Sequence, residues 1–500
     1  DAVSTYTPEK TAEITWLDAE RIEEAARMYA TTKPACFHWF AATDQVGRNS
    51  TRIEQMRVIL RAITGNIDVT GGETLPGVGP MINGKIAFVR GAYLQLDEKC
   101  PPEQRRKQIG SDRFKLQLWT EWEVTNRYYE KYHGVKQAMV GHNMQAPYPY
   151  LYSGILKGEP YPIKALITWT SDPMVHAPAT KTLYKALKSP NLELHVVLEH
   201  WMTPAAQLAD YVLPIATKLE RPYVDCFEDF EAHVWTSEAV VKPMGERRND
   251  YDFWKDLASR LGQGEYFPWR NIEEVVNYRL APSGLSLKEA ARRGIITSPA
   301  KTKRYLEVDA NTRGPRGFAT PTGRVEIYST VLETLGYDPL PKYEEPPESP
   351  VSTPMLAKEY SLILTTGGRF RPLYHGEYRH LGAGFREQHP HPLVDINLDT
   401  ARELGIADGD WVWIETRRGR IMQKARATPG IHPRVVNVQH NWWYPELPGE
   451  EPWLHGVWIS NANVLTSDDL ETLDELTGGA HYRAMLCKVY KVQSPTMPSK

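Results

Sequence analysis

The sequence has few cysteines, and none of them stand close together. Cys36, Cys100, Cys226 and Cys487 are the four thiols in 500 residues. Because no pair shows a CxxC spacing, these residues contain no pattern typical of a zinc or iron–sulfur site. Sparse, scattered cysteines are typical of a reduced protein, and we expect the four thiols to be unpaired.

Long apolar runs and an excess of one charge are also lacking. No run approaches the roughly 18 to 20 apolar residues of a membrane-spanning helix, so no direct membrane insertion is expected. The 59 basic and 62 acidic residues nearly cancel, which leaves a net charge of −3. Such a balance provides little electrostatic attraction for nucleic acid, and no nucleic-acid partner is expected.

Common enzyme motifs are missing as well. The sequence contains no GxGxxG, P-loop, HExxH or GxSxG pattern. The absent glycine fingerprint disfavours a nicotinamide-dependent dehydrogenase. Aromatic residues are instead abundant, with 15 Trp and 26 Tyr, and this abundance favours a planar ligand.

Length and local patterns predict several domains with a helical start. A chain of 500 residues is too long to fold around a single hydrophobic core, so roughly two to four domains are expected. Asp18 is a predicted helix cap, and the capping box Thr51-x-x-Glu54 begins a helix that stops at Gly65. Both helices carry apolar faces that we predict to be core. These faces consist of Ile22, Ala25, Ala26 and Tyr29 in the first helix and Ile53, Met56, Leu60 and Ile63 in the second.

From about residue 160, the sequence alternates between predicted strands and helices. This alternation indicates a parallel sheet, in which ligands bind at the carboxyl ends of the strands. The predicted elements are strands at 164–169, 192–199 and 211–214, a helix at 179–188, and a further helix that begins at Thr203 and Pro204.

The carboxyl ends of the first two predicted strands carry polar residues, in the segments 170–173 and 199–203. Asp172 and Glu199 can accept hydrogen bonds from a ribose or a guanine base. The backbone amides of these segments suit a phosphate. The alternative is that both carboxylates only cap helices.

A Gly-Gly pair follows a predicted strand in TTGGRFRPLYHGEYRH (365–380). Gly367 and Gly368 would let the backbone approach a ligand closely, and several side-chain donors follow them. The alternative is a solvated loop with a basic face. A metal site built from the histidines of this region matches no common ligand spacing. The donors and histidines are Arg369, Arg371, His375, Arg379, His380, His389 and His391.

Amides and tryptophans stand together farther along, in NVQHNWWYPE (437–446) and SNANVLTSD (460–468). Amide groups beside Trp rings suit a flat heterocycle that has its own donors and acceptors. The alternative is that Asn461 and Asn463 only close turns.

The C-terminal part is predicted to be a small β-barrel. Closely spaced prolines at 336–354 make a semi-rigid linker, and several alternating apolar runs beyond it predict strands. In LGIADGDWVWIETRRGRI (404–421), Asp408-Gly409-Asp410 and Arg418-Gly419 supply turns. This stretch therefore predicts a helix end that leads into a hairpin of the barrel.

Taken together, these segments resemble the dimethyl sulfoxide reductase superfamily, whose molybdenum and tungsten enzymes carry bis(molybdopterin guanine dinucleotide). The resemblance extends over essentially the whole chain, and its motifs follow the family's order. Within the superfamily, the sequence looks most like the branch of acetylene hydratase, dehydroxylases and transhydroxylases. The matching text is AITGNIDVTGG (62–72), GEPYPIKALITWTSDP (158–173), MTPAAQLADYVLPIATKLERP (202–222), ATPTGRVEIYS (319–329), TGGR (366–369) and LGIADGDWVWIETRRGRI (404–421).

The resemblance implies a multi-domain α/β fold. A parallel-sheet, Rossmann-like dinucleotide-binding domain is followed by a C-terminal double-psi β-barrel that closes over the cofactor. The implied divisions are the end of an α/β domain begun upstream (1–75), a loop-rich connection (76–134), a guanosine-binding α/β domain (135–335), a proline-rich linker (336–355) and the barrel that binds the molybdopterin dinucleotide (356–500).

The resemblance also implies a bis(molybdopterin guanine dinucleotide) cofactor with Mo or W, and it assigns residues to that cofactor. Two departures from the family occur, since the usual GxNP loop reads TSDP and Glu199 replaces an Asp. His38, Gln45 and His142 are candidates for the substrate pocket, and no residue of this chain is expected to bind the metal. The implied cofactor-binding residues are Thr170, Ser171, Asp172, Pro173, Glu199, Thr203, Thr366, Gly367, Gly368, Arg369, His375, Asn441, Trp442 and Asn463.

Family members begin with an iron–sulfur domain and then supply the metal ligand. Because neither is present in this text, the resemblance implies that an upstream part of the polypeptide carries a 4Fe–4S cluster. The expected partners are a small-molecule substrate and an iron–sulfur electron-transfer subunit. The cytoplasm is the expected compartment, with the periplasm as the alternative.

The implied activity is oxygen-atom or two-electron transfer on a small substrate. One alternative is hydration without net redox change, as in acetylene hydratase, and another is reductive dehydroxylation or transhydroxylation. An alternative of a different class is a metal-free scaffold subunit. The paired donors Arg369 and His375 argue against a pure scaffold, which has no need of them.

Overall fold

The strands form three sheets within the part of the chain that this computed structural model describes. That part comprises residues 2–37, 46–74, 101–116, 118–133, 146–226, 233–297, 301–309, 313–369 and 383–493. The helices there are α1 (Pro8–Thr15), α2 (Ala19–Thr31), α3 (Ser50–Ile63), α4 (Pro102–Arg105), α5 (Trp119–His133), α6 (Tyr148–Leu156), α7 (Pro173–His176), α8 (Thr180–Leu187), α9 (Asp250–Arg260), α10 (Ile272–Leu280), α11 (Leu287–Arg293), α12 (Thr330–Leu335), α13 (Pro354–Glu359), α14 (Ala383–Gln388), α15 (Leu398–Glu403) and α16 (Val457–Ser460). The strands are β1 (Ala165–Trp169), β2 (Leu194–Glu199), β3 (Tyr211–Pro214), β4 (Tyr223–Cys226), β5 (His233–Ser237), β6 (Ile295–Thr297), β7 (Leu362–Gly368), β8 (Leu393–Asn397), β9 (Trp411–Thr416), β10 (Gly419–Thr428), β11 (Val435–Gln439) and β12 (Arg483–Lys491). Among the helices of the described residues, none is long and apolar enough to cross a membrane.

The first sheet is parallel, as the alternation of strands and helices predicts. Its order is β1-β2-β3, with Ala165 paired to Leu194 and Val196 paired to Tyr211. Helices α6, α7 and α8 contribute to a buried apolar cluster that includes Leu183. Because the three strands run in the same direction, the loops after β1 and β2 lie at one edge of the sheet.

The C-terminal strands close into a barrel, which confirms the predicted barrel. Its order is β10-β8-β11-β7-β12-β9. The pairs β10/β8 and β11/β7 are parallel, and the other pairs are antiparallel. Along β7, Leu362, Leu364 and Thr366 are buried, whereas Ile363 and Thr365 are partly exposed. This period of two is the sequence pattern that predicts a barrel strand.

The stretch 404–421 forms the helix end and hairpin that its turn residues predict. Gly409 has a φ of 84°, a conformation that favours glycine. Asp410 accepts a hydrogen bond from the amide of Ala407 at 2.8 Å, and Asp408 accepts one from the amide of Ala427 at 2.9 Å. Both aspartates therefore hold turns.

Sequence patterns do not predict the third sheet or strand β8. Strands β4, β5 and β6 form an antiparallel sheet in which Trp235 pairs with Ile295. β8 has five residues and leads directly into α15. Short strands give weak periodicity, and β6, one of the two partners of β5, lies far from it in the sequence, so local patterns carry little signal for either feature.

The predicted core faces of α2 and α3 are wrong. No residue of α2 is buried. In α3, Met56, Leu60 and Ile63 are 37%, 41% and 63% exposed, whereas Arg52 and Arg57 are buried. The charged face of α3 therefore turns inward, and part of its apolar face lies at the surface.

Ion pairs explain why α3 buries its arginines. Nη2 of Arg52 lies 2.6 Å from Oε1 of Glu475, and Nη1 of Arg61 lies 2.6 Å from Oε2 of Glu73. Glu73 is itself buried, and its Oε2 is 3.7 Å from Nη2 of Arg57. A buried arginine with a carboxylate partner is far less costly than an unpaired one, so these partners determine which face turns inward.

Two predicted helix starts are also corrected. Thr51 does not cap α3 but lies inside it, and its Oγ1 donates to Oδ1 of Asp474 at 2.7 Å. After Thr203 the chain forms only a short 3₁₀ turn, Ala206–Leu208. Thr203 still supports that turn, because its Oγ1 accepts a hydrogen bond from the Ala206 amide at 3.3 Å.

Candidate functional site

The candidate site lies where β1 and β2 end. Asp172 follows β1 and is buried. Its Oδ1 accepts hydrogen bonds from the amides of Met174 at 3.2 Å and Ala205 at 3.1 Å. The first bond caps α7, and the second joins the loop after β1 to the segment after β2. Helix capping, one of the two roles open for Asp172 from the sequence, is therefore observed.

The other residues of the loop after β1 connect the strand to α7. Thr170 is exposed and left-handed, with a φ of 45°, and its amide donates to the carbonyl of Leu198 at 2.9 Å. Pro173 is buried as the first residue of α7. Ser171 is partly exposed, and its Oγ lies 3.5 Å from Nδ1 of His176. The hydroxyl-bearing half of this loop thus lies nearest to solvent.

Glu199 and Thr203 are buried at the end of β2 and just beyond it. Oε1 of Glu199 accepts a hydrogen bond from the amide of His200 at 2.6 Å. Burial lowers the pKa of His200, whose Nδ1 lies 3.2 Å from the carbonyl oxygen of Ile215. His200 is therefore neutral at neutral pH and adds no positive charge beside Glu199.

Three exposed apolar side chains near this edge are absent from the predicted set. Trp169, Trp201 and Met202 are 45%, 41% and 48% exposed. Trp169 contacts Trp254 edge to face, with 6.2 Å between ring centroids. Their sequence positions could have revealed them, because Trp169 directly precedes 170–173 and the other two lie within 199–203. The exposed faces of the two tryptophans suit a planar ligand.

The barrel reaches the same edge through the segment 460–468. Nδ2 of Asn461 donates to the carbonyl of Met174 at 2.8 Å, and Nδ2 of Asn463 donates to the carbonyl of Val175 at 2.8 Å. Both acceptors belong to α7, the helix that Asp172 caps. The structure therefore brings the loop after β1 and the predicted Asn463 together, with the Asn463 amide engaged by α7.

Trp442 lies in the core, away from solvent. It is fully buried, and its Nε1 donates to Oε1 of Gln439 at 3.2 Å. The rings of His389 and Tyr444 are its neighbours, with centroid distances of 5.8 and 6.1 Å. A ring enclosed in this way offers no open face, so its placement does not support stacking on a ligand. Asn441 precedes it in a left-handed conformation, with a φ of 57°.

Thr366, Gly367 and Gly368 are the last three residues of β7. Thr366 is buried, and Gly367 has a φ of 102°. A Cβ at Gly367 would lie 2.7 Å from Nη2 of Arg483. The backbone conformation therefore favours glycine here, whereas the guanidinium of Arg483 is the end of a flexible side chain that can shift away from a Cβ. Arg369 follows directly and is partly buried.

Several residues named from the sequence lie outside the described residues, so the structure does not place them. In the part that is described, no group of three or more His, Cys, Asp and Glu side chains could hold a metal ion. Cys36 and Cys487 are free thiols, as expected. The residues outside are His38, Gln45, Cys100, His142, Arg371, His375, Arg379 and His380, together with the side chain of Cys226.

Two protein families match parts of the chain. Residues 120–260 match the molybdopterin oxidoreductase family, and residues 362–486 match the molydopterin dinucleotide binding domain. The first match contains the parallel sheet with both strand-end loops, and the second contains most of the barrel. The second match supports a molybdopterin cofactor that carries molybdenum or tungsten.

Similar proteins extend the match to nearly the whole chain. Acetylene hydratase of Syntrophotalea acetylenica is 35% identical over 98% of this chain, which covers 65% of that protein. Dopamine dehydroxylase of Eggerthella lenta is 29% identical over 99% of this chain, which covers 52% of that protein. The chain thus spans between about half and two thirds of the length of these relatives.

A solved structure gives the same result for the fold. Acetylene hydratase from Pelobacter acetylenicus superimposes with a TM-score of 0.87 at 34% identity, over 98% of this chain and 65% of that one. The agreement includes the mixed α/β fold with a C-terminal barrel. By these matches, the chain belongs to the molybdopterin oxidoreductases of the dimethyl sulfoxide reductase superfamily, in the branch that contains acetylene hydratase.

Proposed function

We propose that this chain is part of the catalytic subunit of a molybdenum or tungsten enzyme that holds bis(molybdopterin guanine dinucleotide). The observation that carries the proposal is the convergence of the loop after β1, the segment after β2 and the barrel segment 460–468 at α7. The carboxyl edge of a parallel sheet is where nucleotides bind. A barrel joined to that edge lets one dinucleotide contact both parts of the chain.

The groups at this edge fit the nucleotide part of the cofactor. The Glu199 carboxylate can accept hydrogen bonds from ribose hydroxyls or guanine N–H groups, and the hydroxyls of Thr170 and Ser171 can donate to phosphate oxygens. The exposed faces of Trp169 and Trp201 can cover a purine ring. This set combines acceptors, donors and aromatic surface, as a nucleotide requires.

Three other assigned residues hold the backbone of the site in place. Asp172 and Thr203 hold the loops through their capping bonds, and Asn463 holds α7 against the barrel. We assign the pterin end to the end of β7, where Arg369 follows Gly368 and can donate to pterin or phosphate oxygens.

The chemistry at the substrate depends on parts that lie elsewhere. The bound metal supplies the redox or Lewis-acid chemistry, and its protein ligand and a 4Fe–4S cluster belong to an upstream part of the polypeptide. His38, Gln45 and His142 are assigned to the substrate pocket. An iron–sulfur electron-transfer subunit is the proposed protein partner.

Finer features of the fold belong to the same proposal. We assign a Rossmann-like topology to the parallel-sheet domain and a double-psi topology to the barrel. We also propose the domain limits predicted from the sequence. They are 135–335 for the guanosine-binding domain and 356–500 for the barrel.

For the reaction, we propose hydration of a small unsaturated substrate without net redox change. Support comes from the 35% identity to acetylene hydratase over 98% of this chain. Reductive dehydroxylation is the second candidate, because dopamine dehydroxylase is similar over 99% of the chain. Oxygen-atom transfer, the broader expectation for the superfamily, is the third.

Anoxic assays of the purified protein separate these reactions. We expect acetylene to be converted to acetaldehyde without consumption of an electron donor. Turnover of a catechol that depends on a reductant, with no turnover of acetylene, would replace hydration by dehydroxylation. Reduction of trimethylamine N-oxide alone would indicate oxygen-atom transfer. A protein that binds no metal and turns over none of these compounds would be a scaffold.

Replacing Arg369 by alanine tests the assignment of the pterin end without relying on activity. We expect Arg369→Ala to lower the molybdenum or tungsten content of the purified protein. Arg402→Ala is the matched control, since this exposed arginine of α15 forms an ion pair with Asp399 of the same helix. Equal metal content in the two variants would count against the assignment.

A further inference from the structure

We propose that Tyr148 and His176 are positioning residues that hold the Ser171 hydroxyl as a hydrogen-bond donor toward an acceptor oxygen of the bound nucleotide. The inference rests on the proposed function, because it concerns the nucleotide at the edge of the parallel sheet. Ser171 was assigned to the cofactor from its place in the loop after β1. Tyr148 and His176 have no role in that assignment.

The three side chains form a line from the interior to the loop. Oη of Tyr148, the first residue of α6, lies 2.7 Å from Nε2 of His176. The rings meet edge to face, with 5.8 Å between their centroids. On the other side of the imidazole, Nδ1 lies 3.5 Å from Oγ of Ser171, at the outer limit for a hydrogen bond. The imidazole thus connects a partly buried phenol to a hydroxyl near solvent.

The geometry allows either direction for the Tyr148–His176 hydrogen bond, and the proposal takes the one in which the phenol donates. Burial raises the pKa of Tyr148 to about 12, so its phenol keeps its proton at neutral pH. A phenol that donates to Nε2 leaves the proton of a neutral imidazole on Nδ1, which then donates to Ser171. With its oxygen accepting from Nδ1, the Ser171 hydroxyl directs its own proton outward. The loop therefore selects a ligand atom that accepts a hydrogen bond.

Several kinds of nucleotide atom accept hydrogen bonds, and the proposal is confined to two of them. Phosphate oxygens accept hydrogen bonds, and so does the O6 atom of guanine. ADP has phosphates but lacks O6, and guanosine has O6 but lacks phosphates. Comparing both with GDP therefore shows which oxygen Ser171 contacts.

Tyr152 provides a matched control within the same helix. Its hydroxyl donates to the carbonyl of Pro178 at 2.6 Å, and it is more deeply buried than Tyr148. Removing either hydroxyl takes away one buried hydrogen bond of α6. Only the bond of Tyr148 leads to Ser171, so a general loosening of α6 and the proposed positioning role give different results.

The experiment is calorimetric titration of the full-length protein, prepared in a host that makes no pterin cofactor, with GDP, ADP and guanosine. We expect Ser171→Ala and Tyr148→Phe each to weaken GDP binding by about three- to tenfold, the loss typical of one hydrogen bond. Tyr152→Phe should leave the Kd for GDP unchanged. His176→Gln, whose amide can both accept and donate, should bind GDP more tightly than His176→Leu.

A double variant separates positioning from folding. If Tyr148 acts through Ser171, then Tyr148→Phe causes no further loss of GDP affinity in the Ser171→Ala protein. A loss shared by GDP and ADP but not guanosine identifies a phosphate oxygen, whereas a loss shared by GDP and guanosine but not ADP identifies O6. Either result supports the inference.

Other results would overturn it. GDP binding that Tyr148→Phe does not weaken, or losses that add fully in the double variant, would refute the positioning role alone. Equal losses for all three ligands would show that Tyr148 supports only the general structure of the loop. A wild-type chain that binds no GDP would refute the nucleotide site itself, and this inference with it.

Discussion

Replacing Asn461 by alanine would test how the barrel is held to α7. Asn461 is fully buried. Its Nδ2 donates to the carbonyl of Met174 at 2.8 Å and lies 3.1 Å from Oγ1 of Thr180, while its Oδ1 accepts from the amide of Asn463 at 3.2 Å. Alanine removes these bonds and leaves the carbonyl of Met174 without this donor.

The expected size of the effect follows from burial. The net contribution of one hydrogen bond to folding stability is about 0.5–1.5 kcal/mol, and a buried polar group left without a partner lowers stability by about 1–3 kcal/mol. We therefore expect Asn461→Ala to lower the free energy of unfolding by about 2–4 kcal/mol. Asn191→Ala is the control, because this exposed amide also makes two donor contacts, to the carbonyls of Ile155 and Leu156 at 3.1 and 3.3 Å. Water can replace those contacts, so we expect a loss below about 1 kcal/mol.

Urea unfolding followed by tryptophan fluorescence and circular dichroism measures the difference. A chain of this size can unfold in steps, so the two signals are fitted separately and their slopes compared with those of the wild type. We expect a lower midpoint for Asn461→Ala with little change in slope. Equal midpoints for the Asn461 and Asn191 variants would refute the argument that the buried amide holds the two parts together.

Three further predictions concern single residues. Gly367→Ala should lower the free energy of unfolding by about 1–3 kcal/mol, measured by thermal unfolding, because the φ of Gly367 is 102°, a conformation that strains any other residue. Burial lowers the pKa of His481 to about 4, so this residue destabilises the fold as pH falls from about 6.5 to about 4. His481→Gln should therefore lose less stability than the wild type over that range. Iodoacetamide should label exposed Cys36 but not Cys487 in the folded protein, since burial raises the pKa of Cys487; peptide masses after digestion would report each site.

The parallel sheet and the barrel hairpin could be predicted because their signals are local. β1 and β2 are short apolar runs bounded by polar loops, and Gly409 occupies a turn position whose left-handed backbone favours glycine. The direction of burial in α3 could not be predicted in this way. Arg52 turns inward because Glu475, more than 400 residues away in the sequence, accepts its guanidinium.

The candidate site was predictable to the level of segments and less so for individual side chains. The strand-end loops and segment 460–468 do meet, at α7. Which side chains face solvent depends on packing that the sequence does not display. Trp442 is enclosed by its neighbours, whereas Trp201 remains exposed beside the strand end. Both are tryptophans next to polar residues, so composition alone could not separate them.

Binding of the cofactor is the central claim, and a metal and nucleotide analysis of the purified protein tests it most directly. Plasma mass spectrometry measures molybdenum and tungsten, and chromatography after acid hydrolysis measures the guanine nucleotide released from the same sample. The account predicts stoichiometric molybdenum or tungsten together with guanine nucleotide, and lower amounts of both in Arg369→Ala. Protein from its native source that contains neither metal and releases no guanine nucleotide would contradict the account.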